Sequence, residues 1–196
     1  MRAKKVLTAL LITLAMSQLV GCGQKKAEVT TLSVSSKGVI TLQEVDENMS
    51  SDYYDEDELK KYVEKIASDV DGCSVRDVSL KKGTAYVKSV YQDTKAYKSA
   101  TGYDFYKGTI LSARAAGYDF TTGMTKVTDG VLSEEDVLGT TLPSDSKCII
   151  VEQFGIIDVP GVVTYISNTN AVMSGDDVLV IEPEDESKVL VYIVYQ

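Results

Sequence analysis

Residues 55–91, DEDELKKYVEKIASDVDGCSVRDVSLKKGTAYVKSVY, decide the fold class, because a helical period and a strand period follow one another within them. In the first half Leu59, Tyr62, Val63, Ile66 and Val70 recur at three-to-four-residue spacing, which places them on one face of a helix. Asp55 stands where an N-cap belongs, Glu58 completes a capping box, Tyr54 is placed to staple onto Leu59, and Gly72 offers a left-handed C-terminal cap. In the second half Cys73 to Leu80 and Thr84 to Tyr91 alternate on either side of Lys81-Lys82-Gly83. That pattern predicts an antiparallel hairpin with Ala85, Val87 and Tyr91 on one face.

Upstream, Val29 to Val34 and Val39 to Val45 are β-rich runs around Ser35-Ser36-Lys37-Gly38, a second hairpin signal. Downstream, the local signals predict a short helix over Thr94 to Ala100 behind Asp93. They predict a longer one over Phe105 to Ala116, capped by Asp104 and closed by Gly117. Ser133 with Asp136 reads as the cap of a single helical turn ending at Gly139. From Lys147 onward only strands are legible: Cys148 to Phe154, Val162 to Ser167, Val178 to Glu182 and Val189 to Tyr195. Hairpins and two main helices followed by strands alone predict an α+β fold, its C-terminal part a strand-only meander or small sandwich, and argue against a doubly wound parallel sheet. Residues 29–196 are long enough for one continuous core, and Leu142-Pro143-Ser144 offers a subregion boundary near residue 143.

Composition removes whole classes of function. The chain has 196 residues, no His and a net charge of -9, so imidazole-based catalysis and His-ligated metals are excluded and phosphate backbones are poor partners. No cofactor motif stands out. Ser79-Leu80-Lys81-Lys82 and Ser144-Asp145-Ser146-Lys147 match S-x-x-K without the helix start and companion elements that a Ser-Lys nucleophile needs. Tyr103 to Lys107 spells Y-x-x-x-K without a glycine-rich dinucleotide loop. The acidic run from Glu44 to Glu58 has no EF-hand frame through Asp46 or Asp52, so it reads as a solvated face and no metal site is expected. What remains open to an enzyme is a carboxylate pair, as in glycosidases.

The first residues carry an address. Arg2, Lys4 and Lys5 form a positive n-region, Val6 to Met16 an apolar h-region too short to span a bilayer, and Leu19-Val20-Gly21-Cys22 follows. This resembles the lipobox of bacterial lipoproteins. The resemblance implies removal of residues 1–21, a diacylglycerol thioether on Cys22, a tether over residues 22–28, and a domain at the cell membrane facing outside the cytoplasm. More loosely, Tyr54 to Lys60, the hairpin ending in Val90-Tyr91, Lys107 to Ile110 and Ala116 to Tyr118 resemble small lipoproteins of unknown function from Gram-positive, Firmicutes-type bacteria.

Two further features stand out. Gly-Tyr-Asp-Phe occurs at Gly102 to Phe105 and again at Gly117 to Phe120. Tyr103, Tyr106 and Tyr118 are therefore either an exposed binding surface or aromatic packing at helix ends. Cys73 and Cys148 are either one disulfide, as an even pair outside the cytoplasm permits, or two buried thiols. The expected role is a non-catalytic binding or structural module of the cell envelope, its partners the membrane through the anchor and an envelope protein or cell-wall component. The alternatives are a His-independent enzyme on cell-wall glycan or peptide and an accessory subunit of an envelope transport or secretion complex.

Overall fold

In a computed structural model, which describes residues 28–47, 55–167, 170–184 and 187–196, the last strand of the chain is the middle of a sheet. Val191–Tyr195 is buried at every position. Its neighbours, Lys147–Val151 and Val163–Ser167, pair with it antiparallel on both edges. A strand covered on both faces needs an unbroken apolar run, which is why Val-Tyr-Ile-Val-Tyr shows no polar alternation.

In chain order the described elements are β1 (Thr31–Val34), β2 (Ile40–Asp46), α1 (Glu56–Ser68), β3 (Cys73–Lys81), β4 (Thr84–Tyr91), α2 (Thr94–Thr101), β5 (Phe105–Thr109) and α3 (Ile110–Ala115). They continue with β6 (Gly123–Thr128), β7 (Val131–Leu138), a 3-10 turn (Gly139–Thr141), β8 (Lys147–Val151), β9 (Gly155–Asp158), β10 (Val163–Ser167), β11 (Ala171–Ser174), β12 (Asp177–Val180) and β13 (Val191–Tyr195). The first sheet runs β11-β12-β9-β1-β2-β4-β3 and the second β5-β8-β13-β10-β6-β7. The pairing of β1 with β9 is parallel and joins the two halves of the first sheet. The fold is mixed α+β.

Two cores result from strict alternation in the second sheet. Ile149, Val151, Val191, Ile193 and Tyr195 face the first sheet and pack with Leu32, Val34, Ile40, Leu42, Ile157 and Val178. The intervening Cys148, Ile150, Tyr192 and Val194 point to the other face, where Ile110 and Ala113 of α3, Phe120, Met124 and Leu142 cover them. The strands after Lys147 are thus shared between both sheets rather than forming a separate meander, and Leu142 is buried.

The local helix signals hold where no strand competes for the segment. Asp55 accepts from Glu58 N at 2.7 Å to start α1, and Asp93 accepts from Ala96 N at 2.8 Å to start α2. Tyr54 lies outside the described residues. Helix α1 ends at Ser68, before Gly72; that glycine, at φ +81°, turns the chain into β3, and its carbonyl accepts from Gln92 N. The expected helix over Phe105 to Ala116 is corrected: Phe105–Thr109 is a strand and only Ile110–Ala115 is helical. The free edge of β8 takes β5 antiparallel, Phe105 opposite Val151, and Thr109 rather than Asp104 caps the helix with Ser112 in a capping box. The expected turn at Ser133 is also corrected. Residues 131–138 form edge strand β7, where Ser133 Oγ accepts from Glu135 N and Asp136 Oδ1 accepts from Thr125 Oγ1 across the ladder.

Candidate functional site

The tyrosines of the repeated tetrad divide between the two faces of the second sheet. Tyr106, one step along β5 from the buried Phe105, points toward the second core and meets Tyr118 with ring centroids 5.1 Å apart. Its hydroxyl donates to Ser112 Oγ at 2.7 Å, and that of Tyr118 donates to Asp104 Oδ2 at 3.0 Å. Lys98 Nζ donates to Asp104 Oδ1 at 2.7 Å. Burial opposes the charge on Asp104, but the hydrogen bonds from Lys98 and Tyr118 and the Lys98 charge prevail and hold its carboxyl below the usual range. The Asp104 backbone N–H in turn donates to Glu152 Oε2 at 2.9 Å, and Lys188 lies 3.2 Å from Glu152 Oε1. These contacts tie the segment between α2 and β5 to the end of β8. Tyr103 is on the other side, packed against the core between the sheets.

Neither cysteine is in a disulfide: Cys73 and Cys148 are both free. Cys73 opens β3 and packs against the core between the sheets, whereas Cys148 belongs to the core on the far face of the second sheet. Of the two readings open for this pair, two separate thiols is the one the structure carries, and the second sheet stands between their environments. Burial pushes the Cys148 thiol up to about 12. Cys22 and its lipobox lie outside the described residues.

Tyr103 instead lines a hollow of about 350 Å³, between α1 on one side, the end of α2 on the other, and strands β2, β3 and β4 as floor. The arrangement follows from the position of α1, which packs on edge strand β3 and leaves the surface over β2 and β4 uncovered. Tyr62, Val63 and Ile66 of α1 form one wall, Ala100, Thr101 and Tyr103 the other, and Cys73, Val75, Ser89 and Tyr91 the base, with Glu44 at the rim. Tyr91 is buried, its hydroxyl bonded to Ser89 and pushed up to about 12 by burial. Glu44 stays exposed at the mouth of the hollow, yet the surrounding walls, with the charge of Asp46, push its carboxyl up. Among the described residues no hydrogen bond or ion pair reaches that carboxylate.

Glu44 is the residue of this hollow that the sequence does not single out as a site, although it leaves a signal there. Ile40, Leu42, Glu44 and Asp46 share one face of β2, so the buried apolar alternation breaks at a carboxylate midway along the strand. Elsewhere, the register of β9 and β12 brings Asp158 and Asp177 alongside each other, and the Asp158 charge adds to burial in raising the Asp177 carboxyl. They do not line this hollow. Among the described residues no group of three or more Cys, Asp or Glu is placed to hold a metal ion, and no helix is long and apolar enough to cross a membrane. No protein family, no curated protein and no solved structure matches the chain.

Proposed function

We propose that the protein is a lipid-anchored, extracytoplasmic module of the cell envelope that binds a small ligand without transforming it. The anchor rests on Leu19-Val20-Gly21-Cys22 behind a cationic n-region and an apolar h-region. A thioether-linked diacylglycerol supplies two chains, enough for durable attachment where one is marginal. Strand β1 begins at Thr31, so the tether is short and holds the domain close to the bilayer surface. The observation that carries the binding role is the hollow beside α1. It is concave and mostly apolar, with a few converging polar groups, which is the usual make-up of a small-molecule site.

Two measurements test this. In fractionated cells the full-length protein is expected in the membrane and detergent phases, and Cys22→Ser in the aqueous phase or as an uncleaved precursor; identical partitioning of the two overturns the anchor. For binding, the full-length protein in maltoside micelles is screened by thermal shift against sugars, muropeptides, amino acids and organic cations. Ligand at 100 times its dissociation constant stabilises by about 2.7 kcal/mol. A saturable shift that disappears in Ala100→Leu, which narrows the hollow, is expected, and the lack of any such shift overturns the binding role.

A further inference from the structure

The chemistry of the hollow selects among ligands. Its one charged group is Glu44, and the nearest charge acting on it, Asp46, has the same sign. An exposed carboxylate at the mouth of a hollow lined by apolar and aromatic side chains presents its negative charge to whatever enters. No Lys or Arg lines the hollow, and among the described residues none pairs with Glu44. An anionic ligand would meet an uncompensated negative charge. A bare metal ion would find a single carboxylate where hard cations need several oxygens. A neutral sugar would need a denser set of fixed donors and acceptors, but the hydroxyls of Ser89 and Tyr91 are already bonded to each other. The walls and base supply the rings of Tyr62, Tyr91 and Tyr103 together with Val63, Ile66 and Ala100. Electron-rich aromatic rings beside a carboxylate attract a cation that carries its own apolar surface, above all an alkylated ammonium.

We propose that the hollow between α1 and the first sheet binds a small organic ammonium cation, with Glu44 as counter-charge, Tyr62 and Tyr103 as aromatic walls and Tyr91 in the base. The proposal rests on the ligand-binding reading above and deepens it by naming the class of ligand. The volume, at the low end of the range for small-molecule sites, suits a single ligand of choline size.

The test is calorimetric titration of the full-length protein in maltoside micelles with choline, n-butylammonium and 3,3-dimethylbutan-1-ol, the uncharged carbon isostere of choline. At least one cation is expected to bind saturably and the isostere at least about tenfold more weakly. Glu44→Gln, which keeps the shape and removes the charge, is expected to weaken the cation by about tenfold and leave the isostere unchanged. Tyr103→Leu should weaken the cation several-fold, whereas Leu111→Ser, at an exposed position on α3, should change nothing. Equal affinity for choline and its isostere, or unaltered cation binding by Glu44→Gln, overturns the assignment. Failure of both cations while an uncharged compound gives an Ala100→Leu-sensitive thermal shift overturns the ligand class and leaves the binding role standing. Failure of every compound in both experiments overturns the two together.

Discussion

Replacing Asp177 with Asn should stabilise the protein at neutral pH. Asp177 opens β12, whose register against β9 sets Val178 opposite Ile157 and brings Asp177 alongside Asp158. Burial, then the charges of Asp158 and Asp176, push its carboxyl from 3.8 up to about 6. A shift of that size corresponds to about 3 kcal/mol at ~1.36 kcal/mol per unit, a ceiling that holds only without solvent screening. The side chain is only partly buried, so we expect about 1 to 1.5 kcal/mol. The folded state binds this proton more tightly than the unfolded chain, so linkage makes stability fall as pH rises from 3.8 to about 6. The penalty is complete above that window and gone below it. Thermal unfolding of full-length wild type and Asp177→Asn should therefore differ by about 3 to 5 °C in favour of the variant near pH 7.5, using ~2 to 4 °C per kcal/mol for a chain of this size. Near pH 3.5 the gap should shrink to about 1 °C or less, because the wild-type carboxyl is then protonated as well. A variant no more stable than wild type near pH 7.5, or an equal gain at both pH values, refutes the reasoning.

Gly155→Ala should cost about 3 kcal/mol or more in urea denaturation, because Gly155 sits at φ +101° and a Cβ there would collide with the Thr30 carbonyl beside the β1–β9 junction. Asp104→Asn should cost about 1 kcal/mol near pH 7, with Tyr118→Phe in the same range, since each removes hydrogen bonding to the Asp104 carboxylate. Asp104 has a folded value below 3.8, so its contribution is present above that pH and fades as pH drops through the lowered value; urea curves taken across acid pH check the sign. In full-length Cys22→Ser protein, Cys148 should resist alkylation until the chain is unfolded, because it is fully buried and its thiol is pushed up to about 12. Denatured without reductant, that protein should show free thiols at both Cys73 and Cys148; loss of the pair would refute their separation.

Local chemistry was legible wherever a segment's own side chains close its backbone. Helices α1 and α2 and the β1–β2 and β3–β4 hairpins belong to this group, since Asp55, Asp93, the Lys82-Gly83 turn and Gly38 act within a few residues of themselves. The errors fall where a distant strand decides. Asp104 carries the side chain of an N-cap and Gly117 the flexibility of a C-cap, but β8 offers an unpaired edge, and Phe105 and Tyr106 gain a core on each face by pairing with it. Gly108 fits that strand closely, with no room for a Cβ between the Tyr106 hydroxyl and Ser112. Ser133 and Asp136 misled in the same way: both make the short-range or cross-strand bonds of a strand edge, using the side chains that would otherwise start a helix. Sheet order was illegible because nothing in Gly155–Asp158 announces that it lies parallel to β1.

The hollow was legible in part, through Tyr103 alone of the three tyrosines that the sequence picks out. Tyr106 and Tyr118 stand apart from it: their hydroxyls are bonded to Ser112 and Asp104, and their rings meet at a tilt of 53° against the second core. The acidic run reads as a solvated face and Glu44 is exposed, but its place on β2 continues the face of Ile40 and Leu42 and sets it at the mouth of the hollow. On β2 the residues before Glu44 on that face are Ile40 and Leu42, both fully buried; at Glu44 the sandwich ends and α1 has not yet closed over the sheet. The hollow is therefore a geometric remainder, the strip of sheet between two coverings, and phase along β2 locates it better than residue type does.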